Sequence, residues 1–174
     1  MHLRHTTIFD AEAVTAIFNH AIEHTDASLW YEPRPVAELR AEIEEASGAY
    51  PWLVAENETG DVIGWAMVKP WNKRDGYRHT VETTIYLAEH ARGKGVGRML
   101  YDELFRLILD QGYQHVIAGV SLPNPASVRL HESMGMTRVA LFPGIGTKFG
   151  RRVDVGYWHR AFENPAIDLS EKHR

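Results

Sequence analysis

Apolar positions change period along the chain, and the changes predict the elements. Ala13, Val14, Ile17, Phe18 and Ala21 recur at helical spacing behind Asp10, which reads as their N-cap. Residues 2–8 ahead of it fit a short strand. Pro33 and Pro35 mark a loop, and a second helix is predicted from Val36 to Ala46, closed by Ser47-Gly48. Trp52–Glu56 and Val62–Lys69 are apolar-rich runs joined by Asn57-Glu58-Thr59-Gly60, the pattern of a hairpin. Pro70 stops the second run, and the segment from Trp71 to Tyr77 is polar and turn-like. Thr80–Leu87 is rich in β-branched residues and predicts a strand. After a Gly-rich loop, Met99, Leu100, Leu104, Leu107 and Ile108 predict a long helix that ends at Gly112. His115–Val120 reads as a buried strand, Asn124–Gly135 as a helix, and two strands follow near Thr137–Leu141 and Val153–His159.

The order is strand, two helices, three strands, helix, strand, helix, two strands. It predicts a mixed α/β domain. Adjacent strands imply antiparallel hairpins, and the strand–helix–strand step implies one parallel crossover. Residues 1–162 are read as one domain and residues 163–174 as a polar tail.

Composition narrows the function classes. A chain of 174 residues with 44% apolar and 24% charged residues is an ordinary globular mixture that fits one domain. Its net charge of -4 disfavours a nucleic-acid footprint. There is no cysteine, which removes disulfides, thiolate nucleophiles and Cys-based zinc sites. No apolar leader and no run long enough for a membrane span is visible, so the expectation is a cytoplasmic protein without membrane or nucleic-acid partners. His20 and His24 are spaced i, i+4, but neither has a third ligand in a matched motif, and no metal is expected.

The densest chemistry lies at Arg92-Gly93-Lys94-Gly95-Val96-Gly97-Arg98, between a strand and a helix. Glycines let the backbone approach an anion, and helix N-terminal amides point at it. Arg92, Lys94 and Arg98 add positive charge. The strictly alternating glycines match neither the P-loop nor the dinucleotide fingerprint.

This loop after TVETTIYL resembles the acetyl-CoA loop of the GNAT acetyltransferase superfamily, pattern [QR]-x-x-G-x-[GA], with Arg92, Gly95 and Gly97 in register. The segment Asn124-Pro-Ala-Ser-Val-Arg-Leu-His-Glu-Ser-Met-Gly135 resembles the superfamily segment that runs from an Asn to a Gly after the helix. YRHTVETTIYL, SLPNPASVRLHESMG and GTKFGRRVDVGYW are similar to the phosphinothricin and methionine sulfoximine acetyltransferase branch. The resemblance implies a GNAT fold: a central, mostly antiparallel twisted sheet flanked by helices and splayed at the acetyl-CoA site. It further implies acetyl-CoA as cosubstrate, a small amino acid or amino-acid analogue as acceptor, and a homodimer.

The expected site follows. Acetyl transfer needs a neutral amine, and Glu82, a carboxylate in a β-branched strand, matches the branch's base. By resemblance, a bulge opens the strand so that main-chain groups of Ile85, Tyr86 and Leu87 meet the pantetheine, with an amide near Tyr86 or Leu87 as oxyanion donor. Residues 92–98 take the pyrophosphate, while Asn124 and Ser127 contact the cofactor or cap the helix. His131 stands where many superfamily members carry a Tyr; it is read as the acid for the leaving thiolate or as an ordering group. Lys73, Arg74, Tyr77 and Arg78 would hold the acceptor's anionic group. Leu29, Trp30, Tyr31 and Val155 would supply walls. Two alternatives stand beside this: a GNAT acting on a peptide or protein N-terminus or an aminoglycoside, and a non-catalytic acyl-CoA-binding module.

Overall fold

The computed structural model describes residues 1–46 and 48–162; the expected polar tail, residues 163–174, and Ser47 lie outside the described residues. The element order is β1 (His2–His5), α1 (Ala11–His24), α2 (Val36–Ala46), β2 (Trp52–Glu56), β3 (Val62–Pro70), β4 (Thr80–Leu87), α3 (Val96–Asp110), β5 (His115–Leu122), α4 (Pro125–Ser133), β6 (Thr137–Lys148) and β7 (Arg151–Ala161). This is the order that the sequence predicts.

The strands form one seven-stranded sheet in the order β1-β2-β3-β4-β5-β7-β6. β4 and β5 run parallel, and the other neighbours run antiparallel. α3 supplies the crossover between β4 and β5. One sheet face packs against α3, whose Leu100, Leu104 and Ile108 are fully buried. Burying a side chain of that size stabilises the fold by roughly 1.5–3 kcal/mol. The opposite face carries Trp52, Val54 and Trp65 against Val14, Phe18, Leu39 and Ile43 of α1 and α2.

Three expectations need correction. The first strand ends at His5, and Ile8–Asp10 form a 3-10 turn. Asp10 stands at the N-cap position of α1 but does not cap it. Its carboxylate turns back to accept the Thr7 amide at 2.7 Å and both terminal nitrogens of Arg4 at 2.7 Å. The last two strands extend well beyond the expected segments, and GTKFGRR is the tip of their hairpin. Phe149 and Gly150 both have positive φ, 48° and 73°, as a two-residue primed turn requires.

The expected splay is present, but no bulge in β4 produces it. The β3–β4 register runs unbroken from Gly64↔Leu87 to Pro70↔Val81. The opening lies on the other side of β4. Thr80, Val81 and Glu82 pair with His115, Val116 and Ile117, and there the pairing ends. β4 continues to Leu87 and β5 to Leu122, diverging in a V.

Candidate active site

The V exposes a backbone edge. The Trp71 amide donates to the Thr80 carbonyl at 3.2 Å and the Ala88 amide to the Ile63 carbonyl at 2.9 Å, so both residues turn their main chain toward β3. Main-chain groups alternate sides along a strand. Thr83, Ile85 and Leu87 therefore direct their N–H and C=O groups into the gap, while Tyr86 uses its own on β3. Of the expected main-chain contacts, Ile85 and Leu87 are placed to make them and Tyr86 is not. Of the two amides expected as oxyanion donors, that of Leu87 faces the gap and that of Tyr86 does not.

The Gly-rich loop lies beyond the end of β4, where the V is open. Gly95 caps α3 at φ 83°. That left-handed conformation suits glycine. The first bond into the helix runs from the Met99 amide to the Gly95 carbonyl at 3.0 Å, leaving the amides of Val96, Gly97 and Arg98 without helical partners. A Cβ at Gly97 would lie 3.0 Å from Leu130 and 3.6 Å from Ile85, so its small size lets α3, α4 and β4 converge. Gly93 and the side chains of Arg92, Lys94 and Arg98 are exposed around this helix end. Free amides, a helix dipole and three cations are the features that suit an anion such as a pyrophosphate.

Glu82 stands at the apex of the V, on the last residue pair before β4 and β5 part. Its side chain shares a sheet face with Lys69, its partner on β3, and their Oε2 and Nζ are 3.2 Å apart. The sequence reading missed Lys69, because a cross-strand pair depends on register. The next residues of β4 on that face, Thr84 and Tyr86, floor a cleft of about 1100 Å³. Its walls include Ser28, Leu29, Trp30 and Tyr31 from the α1–α2 connection, Arg34, and Trp52, Trp65, Met67, Lys69 and Lys73. Burial pushes the Tyr86 hydroxyl up to about 12, so it stays protonated, and it donates to the Ala27 carbonyl at 3.3 Å.

The expected acceptor residues do not all meet. Trp30 and Lys73 line the main cleft. Arg74, Tyr77 and Arg78 line a smaller depression of about 300 Å³, which shares Tyr50, Pro70 and Lys73 with the cleft. Val155 lies across the V on β7, opposite Ser121 and Phe142, and lines neither.

His131 is buried, 3% exposed, and both ring nitrogens are occupied. Nδ1 is 2.7 Å from the Ser127 carbonyl oxygen, which can only accept, so Nδ1 carries the proton. Nε2 then accepts from the Tyr101 hydroxyl at 3.0 Å. Burial lowers the proton affinity of His131, and the Ser127 carbonyl opposes that only in part. This is the arrangement of an ordering group. Asn124 acts as the helix cap, its Oδ1 accepting the Ser127 amide at 3.1 Å, which leaves only its NH2 for a ligand.

Among the described residues no three His, Asp or Glu side chains cluster as a metal site would need, and no helix is long and apolar enough to cross a membrane.

Comparison with known proteins agrees with this geometry. The profile of the Acetyltransferase (GNAT) family matches residues 18–136. The phosphinothricin N-acetyltransferase of Streptomyces viridochromogenes is 40% identical over 95% of this chain and 90% of its own length. The L-methionine sulfoximine/L-methionine sulfone acetyltransferase of Salmonella typhimurium is 38% identical over 90% of this chain and 92% of its own. Among solved structures, a GNAT superfamily phosphinothricin acetyltransferase from Sinorhizobium meliloti in complex with AcCoA superposes with a TM-score of 0.92 at 32% identity, covering 98% of this chain and 93% of that one. With the splayed sheet and the glycine loop, these matches establish that the chain belongs to the GNAT family and is an N-acetyltransferase that uses acetyl-CoA.

Proposed function

We propose that the enzyme acetylates the α-amino group of a small amino acid or amino-acid analogue of the phosphinothricin, methionine sulfoximine or methionine sulfone type, by direct transfer with Glu82 as general base. The observation that carries this reading is the position of Glu82 at the end of the β4–β5 pairing, 3.2 Å from Lys69, which lines the cleft that Thr84 and Tyr86 floor. The pantetheine pairs with the free main chain of Ile85 and Leu87, and the pyrophosphate sits on residues 92–98. An acceptor in the cleft brings its ammonium to the apex, and its carboxylate meets Lys73 and the Arg74–Arg78 loop.

Glu82 takes one proton from the ammonium, directly or through water, and passes it to solvent. The neutral amine attacks the thioester carbonyl carbon, and the Leu87 amide holds the oxyanion. The C–N bond forms, the C–S bond breaks, and the second amine proton neutralises the departing thiolate. His131, through Tyr101 and Ser127, orders the start of α4 beside the cofactor.

The relatives' names support the acceptor class, since enzymes similar over nearly their whole length are named for these compounds. A homodimer belongs to the same reading; exposed Val139, Leu141, Phe142 and Ile145 along the edge strand β6 supply apolar surface for it. So does a cytoplasmic setting, where acetyl-CoA is available.

Thiol release from acetyl-CoA tests the acceptor class, with phosphinothricin, methionine sulfoximine, methionine sulfone, free amino acids, an aminoglycoside and a short peptide as acceptors. Release with the amino-acid analogues is expected. Release with the peptide alone would transfer the activity to N-terminal acetylation, and none with any acceptor despite tight acetyl-CoA binding would favour a binding module.

A further inference from the structure

The segment between α1 and α2 forms one wall of the cleft without secondary structure of its own, from Ala27 to Tyr31. Something else must fix it, because a free loop of this kind samples many positions. The tip of the β6–β7 hairpin, more than a hundred residues away in sequence, holds it at four successive points. Arg151 pairs with Asp26. A Cβ built on Gly146 would come 2.6 Å from Leu29 Cδ1, so Leu29 lies flat on the hairpin backbone there. Tyr31 Oη is 2.5 Å from Thr147 Oγ1 and donates to the Thr147 carbonyl at 3.0 Å. Lys148 Nζ donates to the Trp30 carbonyl.

Lys148 is the unusual member. It is 1% exposed, and among the described residues it has no carboxylate partner. Its ammonium instead lies 4.9 Å from the Phe149 ring centroid and 5.6 Å from that of Tyr31. Burying a cation without a counter-ion is costly. An apolar side chain would fill the space without that penalty, so packing alone does not account for a lysine. What the ammonium adds is a directed N–H to the main chain of Trp30, gripped between two aromatic faces. The Trp30 indole, 52% exposed, projects from that anchored carbonyl into the cleft, with the Arg34 guanidinium 4.4 Å above its ring.

We propose that Lys148 is a positioning residue for acceptor recognition: with Gly146 and Thr147 it latches the Leu29–Tyr31 wall and so sets the width of the acceptor cleft. The proposal rests on reading that cleft as the acceptor site. None of the latch contacts involves Ile85, Leu87 or residues 92–98, the groups assigned to acetyl-CoA, so the latch governs acceptor affinity and leaves donor affinity alone.

The test compares Lys148→Met, which keeps the stem and removes the charge, with Gly146→Ala, which pushes Leu29 off the hairpin, and with Trp30→Ala, which alters the cleft directly. The expected result for Lys148→Met is an acceptor KM raised about fivefold or more, with kcat and the acetyl-CoA KM within about twofold. Hydrogen exchange of the amides of residues 26–31 should accelerate while the β4 and β5 amides keep their protection. Gly146→Ala should shift the acceptor KM in the same direction, and it keeps the test available if Lys148→Met does not fold. An unchanged acceptor KM in both hairpin variants, with a raised one in Trp30→Ala, would overturn the latch and leave the cleft assignment standing. An unchanged KM in all three would overturn the cleft assignment, and the latch with it. Parallel loss of kcat, both KM values and exchange protection across the sheet would reduce Lys148 to a structural residue.

Discussion

Lys69 Nζ lies 3.2 Å from Glu82 Oε2 across the β3–β4 register, so the carboxylate at the apex of the split strands already holds a cation. An incoming ammonium must share or displace that contact. The pair is partly solvated, Lys69 being the more exposed partner, and a pair of this kind contributes at most about 1 kcal/mol to stability. Lys69→Met is therefore expected to move Tm by no more than a few degrees. It should leave kcat within about tenfold of wild type, since the base itself remains. Thermal melts and steady-state kinetics on the one variant check both statements.

Glu82→Gln removes the base and keeps the shape. Turnover should fall by about a hundredfold to ten-thousandfold, while acetyl-CoA binding measured by calorimetry changes by less than about twofold. A variant that kept near-wild-type kcat would show that water alone deprotonates the acceptor, and the role assigned to Glu82 would be withdrawn.

His131 makes a pH prediction whose sign follows from its burial. Its folded-state proton affinity is depressed from the ordinary value near 6.5. Above that pH both folded and unfolded chains hold it neutral, and its contribution is fully present. As pH falls below about 6.5 the unfolded chain takes up the proton first, so stability drops with acidification until the folded-state value is passed. His131→Gln should flatten this part of the Tm–pH curve while lowering Tm at neutral pH. An unchanged slope would mean that other groups carry the acid sensitivity.

Gly97 is held close by packing rather than by an unusual φ. Gly97→Ala puts a methyl 3.0 Å from Leu130. Overpacking of this kind costs roughly 1–3 kcal/mol. Because the same contact sets the spacing of α3 and α4, the acetyl-CoA KM should rise more than the acceptor KM.

Much of this was legible in the sequence where local pattern decides. Val36–Ala46 and Thr80–Leu87 are the observed bounds of α2 and β4, since helical spacing and β-branching mark them without help from the rest of the chain. The glycine loop, Glu82 and the order of elements were visible for the same reason. β6 was cut short because Pro143, Gly144 and Gly146 interrupt its alternation, and Phe149 at positive φ is an unusual turn residue. Asp10 looked like a cap because its competitor, Arg4, binds it only once the chain has folded. Lys69 beside Glu82, Tyr101 beneath His131 and Lys148 behind Trp30 are products of register and tertiary packing. No one-dimensional spacing encodes them.

The parting of β4 from β5 has a consequence for the enzyme at rest. Sheet proteins normally hide or blunt their edges, because an unpaired strand recruits other chains. Here the exposed edge runs through the middle of the sheet, and in the proposed binding mode acetyl-CoA closes it as a surrogate strand. Acetyl-CoA would then be a structural member as well as a reagent: at a hundred times its Kd it would add about 2.7 kcal/mol to the folded state. The durability of this protein would then track the supply of its own substrate, and starvation for acetyl groups would be felt first as a loosened fold.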